Sequence, residues 1–427
     1  MYLTLSIDLG GKMERFPVII VGAGLAGLAC AYTLAKAGTE CLVLERGDYA
    51  GAKSVTGGRL YLEPVRTLFS DLWGEDCPLE RKIVKEGLTL MGKEGALSLE
   101  LAGGVKAASY SILRARFDRW LAEKAEEAGA MIMTKAFVSC LVKEGEKIVG
   151  VQVGNEILKA DCVVVADGAL SLLTEGVGLH PPVSATNLAL GVKEVIALSR
   201  ERIEERFQLA PGEGAARLYV GEVTAGNFGG GFLYTNSESI SLGLVVACEM
   251  HAHWQAPAIP SLLDRFKSRP EVEILLRGGE TVEYAAHLIP EGGRKGMLPL
   301  SAPGLLVVGD AAGLALNLGY TVRGMDYALA SGYYAARAIE EGLPHRYPEM
   351  VAACFIGKDL ENYRAMREFL GQRRLYNHYP QKVVDFLADL YTIPAGEKER
   401  LFTIWRRHFP WREVWRVWRD FKELRRT

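Results

Sequence analysis

The chain has 427 residues, enough to bury a large core and to form two or three closely joined domains. A hydrophobic fraction of 49% and a charged fraction of 24% exclude a disordered or collagen-like chain. With 50 basic and 52 acidic residues the net charge is −2, which gives no global attraction for nucleic acid, so any electrostatic docking must be local.

Residues 1–12 lack the basic start and apolar core of a signal peptide, and Met13 offers a natural beginning. Phe16 to Ala35 runs twenty residues without a charge, long enough for a membrane span. Its glycines argue otherwise. Val18-Ile19-Ile20-Val21 predicts a buried strand, and Gly22-Ala23-Gly24-Leu25-Ala26-Gly27 opens a helix that runs through Ala37 and stops at Gly38. Cys41 to Leu44 returns as a parallel strand that ends at Glu45-Arg46. This is a βαβ unit with a dinucleotide fingerprint. Gly22 serves the tight turn, Gly24 lets a pyrophosphate approach bare backbone at the helix start, and Gly27 lets helix and sheet pack closely. Glu45 stands where a carboxylate accepts from both ribose hydroxyls, which disfavours a 2′-phosphate.

Residues 47–59 form a loop rich in small residues, which serves either as a bed for a flat ring or as a surface connection. Residues 83–101, broken by Gly87, Gly92 and Gly95, predict short antiparallel strands. Leu113 to Ala128 carries Phe117, Trp120, Leu121 and Ala125 on one helical face and stops at Gly129. Arg114 lies at its start, where a cation does not help the helix dipole, so it either contacts a nucleotide or is solvated.

Strands follow at 131–134, 138–143 and 148–153, and Asp161 to Gly168 predicts a buried parallel strand that ends in Asp167-Gly168. Asp167 sits where open α/β sheets collect ligands, and it can equally cap the next turn. From about 181 to 291 the pattern changes to strands and turns, with helical stretches at 199–207 and 259–268 and a hairpin joining Gly229-Gly230-Gly231 to Ile240–Val246. This block predicts an antiparallel layer over the nucleotide domain. Gly304 to Gly313 is another buried strand ending in Gly309-Asp310, followed by Thr321-Val322-Arg323-Gly324 and a helix from Met325 to Glu341. Asp310 would face a ribityl chain, and the helix start near Arg323-Gly324 the electron-rich edge of a flavin, so FAD is favoured over NAD.

The seven cysteines, Cys30, Cys41, Cys77, Cys140, Cys162, Cys248 and Cys354, have no C-x-x-C spacing. They argue against zinc, against an iron–sulfur cluster held by this chain alone and against a disulfide framework, and they fit a reducing cytoplasm. From Arg400 to Thr427 nine basic and three acidic residues alternate with aromatics. After Pro410, Trp411, Val414, Trp415, Trp418, Phe421 and Leu424 follow helical spacing. Three roles stay open for that helix: an interfacial membrane anchor, a subunit contact, or packing on its own domain.

These pieces resemble the FAD-dependent family of electron-transfer-flavoprotein:quinone oxidoreductases, geranylgeranyl reductases and aromatic hydroxylases, and most closely the Fix-type quinone oxidoreductases. The carrying runs are Lys53-Ser54-Val55-Thr56-Gly57-Gly58-Arg59, Arg114-Ala115-Arg116-Phe117-Asp118, Gly230-Gly231-Phe232-Leu233-Tyr234, residues 269–280, residues 283–293, Gly309–Gly313 and Gly319–Asp326. The resemblance spans about residues 13–342. It implies a Rossmann-like α/β FAD-binding domain in three parts (13–75, 111–180 and 292–345), a β insertion (76–110), an antiparallel β quinone domain (181–291) and a C-terminal helical region (346–427). It also implies that Leu25, Ala26, Arg46, Lys53, Val55, Thr56, Gly57, Gly58, Gly168, Thr321 and Val322 join the fingerprint residues around FAD.

By the same resemblance the chain takes electrons from a two-subunit electron-transfer flavoprotein and reduces a membrane quinone at the inner face of the cell membrane. Any bifurcation of electrons from NADH would belong to the partner flavoprotein. Mitochondrial-type relatives carry a cysteine-ligated cluster in a C-terminal domain, whereas this chain has no cysteine after Cys354, which implies a separate ferredoxin-like iron–sulfur subunit. Tyr234, Tyr284 and His287 are candidates for proton delivery. A prenyl reductase and an inert FAD-bearing tether are the rival readings; the Tyr-x-Trp-x-Phe-Pro stretch usual in the former is replaced here by Gly230–Thr235.

Overall fold

The computed structural model describes residues 15–52, 58–249, 258–422 and 424. The strands of its first half are β1 Arg15–Val21, β2 Cys41–Leu44, β3 Gly58–Tyr61, β4 Leu79–Met91, β5 Ala96–Ala102, β6 Ser109–Ile112, β7 Met131–Met133, β8 Val138–Glu144, β9 Lys147–Val153 and β10 Glu156–Val165. The second half adds β11 Leu188–Ala197, β12 Glu213–Gly221, β13 Gly229–Thr235, β14 Ser239–Ala247, β15 Glu280–Pro290, β16 Ser301–Ala302 and β17 Leu305–Val307.

Among the described residues the first sheet has eight strands, in the order β16-β17-β10-β1-β2-β7, with β8 and β9 joined through β10. Its centre is parallel: β1 lies between β2 and β10, and β10 between β1 and β17. Val18, Ile19, Ile20 and Val163 to Val165 are almost fully buried because layers cover both faces, which is why these strands read as unbroken apolar runs. Helix α1, Leu25–Lys36, covers one face. Helix α2, Arg114–Glu127, packs beside it and buries Phe117, Trp120, Leu121 and Ala125.

The second sheet has nine strands, in the order β15-β11-β14-β13-β12-β4-β6-β3, with β5 on β4. The expected hairpin is β13–β14. The 83–101 stretch does form antiparallel strands, but β4 also runs parallel to β12, from Glu213↔Lys82 to Gly221↔Met91. The strands of 79–112 and of 188–290 therefore complete one sheet. Local alternation marks which residues are strands and is blind to a partner more than a hundred residues away.

On this sheet lie α3, Arg200–Phe207, whose Ser199 hydroxyl accepts from the Arg202 N–H, and α4, Ile259–Lys267. Phe266 of α4 meets Tyr219 edge-on at 4.9 Å. Helix α5, Met325–Glu340, returns to the first sheet and crosses α1 at Gly332, where a Cβ would lie 2.1 Å from the Ala26 carbonyl oxygen. The chain ends in α6 Met366–Leu370, α7 Arg374–Asn377, α8 Tyr379–Tyr391, α9 Leu401–His408 and α10 Trp411–Phe421.

Candidate functional site

A cavity of about 1090 Å³ separates the two sheets and reaches the C-terminal helices. That exceeds the usual few hundred to about 1,000 Å³ of a single-ligand site.

At one end β1 delivers Gly22 with φ +106°, and a Cβ there would lie 2.3 Å from the Ala166 carbonyl oxygen. Gly24 is the N-cap of α1 and supplies no side-chain cap, and a Cβ on it would meet nothing within 4 Å. Leu25 and Ala26 complete a wall of backbone N–H groups at a helix start, the arrangement that receives a phosphate. Gly27 serves packing and lies off the wall; a Cβ there would be 2.0 Å from the Gly22 carbonyl oxygen.

Glu45, at the end of β2, is buried, with Oε2 accepting from the Ala23 N–H at 2.9 Å and Oε1 from the Gly47 N–H at 2.6 Å. Arg46 and Gly58 also line the cavity. Lys53, Val55, Thr56 and Gly57 lie outside the described residues. Arg114 reaches the wall and donates to the buried Asp118 carboxylate at 2.7 and 2.8 Å.

Asp167 caps the following turn and also lines the cavity. Its Oδ2 accepts from the Leu173 N–H at 3.0 Å, while its buried Oδ1 has no hydrogen-bond partner among the described residues. Gly168 beside it adopts φ +90°. Asp310 lines the middle of the cavity, where burial pushes its carboxyl up to about 6 against the pull of the Arg114 charge.

The remaining positions divide. Val322 and Gly324 line the cavity, and Gly324 is the N-cap of α5 without a side-chain cap. Gly309 is buried behind the wall, its N–H donated to the Ser331 hydroxyl at 3.0 Å. Thr321 shares a hydrogen bond with the Tyr61 hydroxyl and does not reach the wall. Arg323 turns away from the cavity: it pairs with Asp326 and Asp359 and lies 4.8 Å over the Tyr327 ring.

The second sheet closes the opposite wall with Gly230, Gly231, Phe232 and Tyr234 of β13 and with His287 and Ile289 of β15. Burial pushes the Tyr234 hydroxyl far up and pulls the His287 imidazole down, the latter helped by Arg114 and Arg46. Tyr284 is exposed and off the wall, because it stands on the other face of β15 from His287.

Two groups were missed by sequence reasoning. Lys193 of β11 is 1% exposed, lines the cavity, and its Nζ has no hydrogen-bond partner among the described residues. Burial pulls its pKa down, Glu283 opposes this and Arg114 adds to it. A lone lysine in the run Leu188–Leu198, two residues from Gly191 on the same strand face, was the available signal. The other is Glu291, at the apolar end beside Phe228, Leu318, Phe369, Leu370 and Tyr376.

The uncapped start of α1, the close approach at Gly22, the acceptor at Glu45 and the free oxygen of Asp167 fit an adenine dinucleotide with a polyol chain. Residues 15–208 match the family model "FAD binding domain", and residues 188–289 match "ETF-QO, ubiquinone-binding". The "Probable electron transfer flavoprotein-quinone oxidoreductase YdiS" of Escherichia coli K12 is 41% identical over 394 residues, covering 89% of this chain and 91% of the relative. "Protein FixC" of Salmonella typhimurium LT2 is 42% identical over 397 residues, covering 90% and 92%. A crystal structure of a geranylgeranyl bacteriochlorophyll reductase-like protein from Thermoplasma acidophilum shares the fold, with a TM-score of 0.71, 21% identity and coverage of 97% and 99%. FAD is the cofactor of this fold and of this chain. The chain belongs to the FixC and electron transfer flavoprotein-quinone oxidoreductase family of FAD-dependent oxidoreductases.

Proposed function

We propose that this protein receives electrons from a two-subunit electron-transfer flavoprotein, passes them through its FAD and reduces a membrane quinone. It does so as a subunit of a Fix-type complex in which a small ferredoxin-like subunit carries the iron–sulfur cluster. Bifurcation from NADH, where the complex performs it, takes place on the partner flavoprotein. The observation that carries this reading is one cavity bounded by the dinucleotide cradle on one side and by the ubiquinone-binding segment on the other, with apolar walls leading to α6–α10.

When bound, FAD accepts a pair of electrons and releases them singly or together. The chain's tasks are to hold and orient it. The N–H groups at the start of α1 would receive the pyrophosphate, and Glu45 would accept from the ribose hydroxyls beside its bonds to Ala23 and Gly47. Arg114 and Asp310 would hold the ribityl chain, with Asp167 and Gly168 beside them, while Arg46 and Gly58 would complete the wall. Lys53, Val55, Thr56 and Gly57, which lie outside the described residues, would add to the site as the family resemblance implies. The uncapped start of α5 at Gly324, with Val322, directs N–H groups toward charge that develops on the ring. Thr321, Gly309 and Arg323 support that wall from behind through Tyr61, Ser331, Asp326 and Asp359.

Docking at the inner face of the membrane is supported by the inverted amphipathicity of α10. Its acids point inward: Glu413 pairs with His378, and Asp420 accepts from Arg374 at 2.6 Å and from the Tyr379 hydroxyl at 2.5 Å. Its aromatics point outward, with Trp411 81%, Trp415 53% and Trp418 52% exposed. Arginines flank them, the composition of a helix seated at headgroup depth. Among the described residues no helix is long and apolar enough to cross a membrane.

The test is reconstitution. The FAD-loaded chain with its flavoprotein partner on quinone-containing liposomes should reduce quinone at the expense of NADH. An FAD that stays oxidised under those conditions, or saturation of a geranylgeranyl lipid by the reduced protein, would overturn the proposal.

A further inference from the structure

We propose that Glu291 donates a proton to the quinone as it is reduced, an inference that rests on the quinone reading above. The carboxyl stands just after β15 and lines the cavity together with the apolar Phe228, Leu370 and Tyr376, the last close enough to feel its charge. It is 6% exposed and held by two hydrogen bonds, the second from a partner that is itself anchored. Its backbone N–H donates to the Asn187 carbonyl at 2.8 Å, Asn317 Nδ2 donates to Oε1 at 2.9 Å, and Asn317 is itself held by the Gly319 N–H at 2.8 Å. Its second oxygen, Oε2, makes no hydrogen bond among the described residues, and the side chain forms part of the cavity wall.

The charges around it leave the acid without a dedicated counter-ion. Arg367 of α6 donates to the Thr186 carbonyl at 2.8 Å and to Glu249 at 2.9 Å, and its guanidinium lies 4.6 Å over the Phe228 ring. Burial therefore governs Glu291 and pushes it up to about 7; the Asn317 hydrogen bond and Arg367 pull against this, and Glu249 adds to it. Tyr376 of α7 faces the same acid and stays neutral, its hydroxyl pushed far up by burial. A carboxyl poised near neutrality in an apolar pocket is matched to proton transfer at physiological pH.

The reduction balances as follows. A quinone takes up two electrons and two protons to become quinol. Both electrons and one proton come with the reduced cofactor; the second proton leaves the Glu291 carboxyl for a quinone oxygen. The O–H bond of the acid breaks, an O–H bond of the quinol forms, and the resulting carboxylate regains a proton from water once the quinol departs. The three earlier candidates fit less well. Tyr284 is off the cavity, Tyr234 holds its proton too tightly, and His287 has its pKa lowered by burial and so lacks the extra proton.

The experiment is stopped-flow reoxidation of the photoreduced, FAD-loaded full chain by ubiquinone-1 between pH 5.5 and 9, followed by flavin absorbance. The wild-type rate is expected to be level below about pH 7 and to fall about tenfold per unit above it. Glu291→Gln should lower the limiting rate at least ~100-fold and abolish the break, with little change in the quinone concentration for half-saturation. Asn317→Ala, which removes a bond favouring the carboxylate, should move the break to higher pH. A Glu291→Gln rate and pH profile equal to wild type, or an unmoved break in Asn317→Ala, would overturn the assignment. No reoxidation of the wild type by quinone at any pH would instead sink the quinone reading, and this inference with it.

Discussion

Glu45 Oε2 accepts a hydrogen bond from the backbone N–H of Ala23 at 2.9 Å, so the acid at the end of β2 is tied to the glycine turn at the end of β1. One carboxylate thereby holds two neighbouring parallel strands and the nucleotide turn in register. Glu45→Ala removes the acceptor for two N–H groups, and an unmet buried donor costs about 1–3 kcal/mol. The expected result is a loss of FAD affinity of about tenfold to a hundredfold, read by titrating the apoprotein with FAD, together with a lower Tm. Unchanged values of both would refute the role given to this acid.

Gly22→Ala is expected to destabilise the protein by at least ~2 kcal/mol, because it combines a positive φ with a Cβ 2.3 Å from a backbone oxygen that has no room to retreat. Urea unfolding of the FAD-free chain measures the cost without interference from the cofactor. An alanine variant as stable as the parent would mean that the turn relaxes without penalty.

The buried Lys193 makes a prediction about pH. Its folded pKa lies below the ordinary lysine value, so between the two the unfolded chain carries a proton that the folded chain lacks. Stability therefore rises with pH across that window, and the penalty is greatest below it. Lys193→Met should stabilise the apoprotein by about 2–4 kcal/mol at pH 7, with the gain shrinking toward pH 10. A gain that is flat with pH would show that packing, and not charge burial, is responsible.

The outward aromatics of α10 separate membrane binding from folding. The double substitution Trp415→Ala, Trp418→Ala should weaken co-sedimentation with anionic liposomes at least ~10-fold while leaving Tm within a degree or two, since both rings are about half exposed. Equal sedimentation would return the helix to the role of a subunit contact.

Much of the fold was legible because its central strands announce themselves by composition. Val18–Val21, Cys41–Leu44 and Val163–Val165 are apolar on both faces, and each is followed by the glycine or acid that the site uses. The hairpin of β13 and β14 and the cavity-lining Gly24, Glu45, Arg114 and Asp310 were found in the same way. What escaped was set by partners distant in sequence. The stretch Arg323-Gly324 reads as a helix start near a flavin edge, and the pairing of the Arg323 side chain with Asp359 of another helix is invisible to that reading. Glu291 drew no individual reading in the sequence, because the C-terminal residues that line the cavity with it, such as Leu370 and Tyr376, lie about 80 positions further along. Periodicity states which residues share a face, but not what that face will meet.

The central position of β10 has a consequence for biosynthesis. Its inner edge finds β1 at once, but its outer edge must wait for β17. Roughly 140 residues of nascent chain must leave the ribosome in between, at about 5–20 residues per second. For on the order of ten seconds each emerging molecule displays the unpaired apolar edge Val163–Val165, an open template for pairing with a neighbour. High-level expression should therefore depend on holdase chaperones that bind this edge during translation.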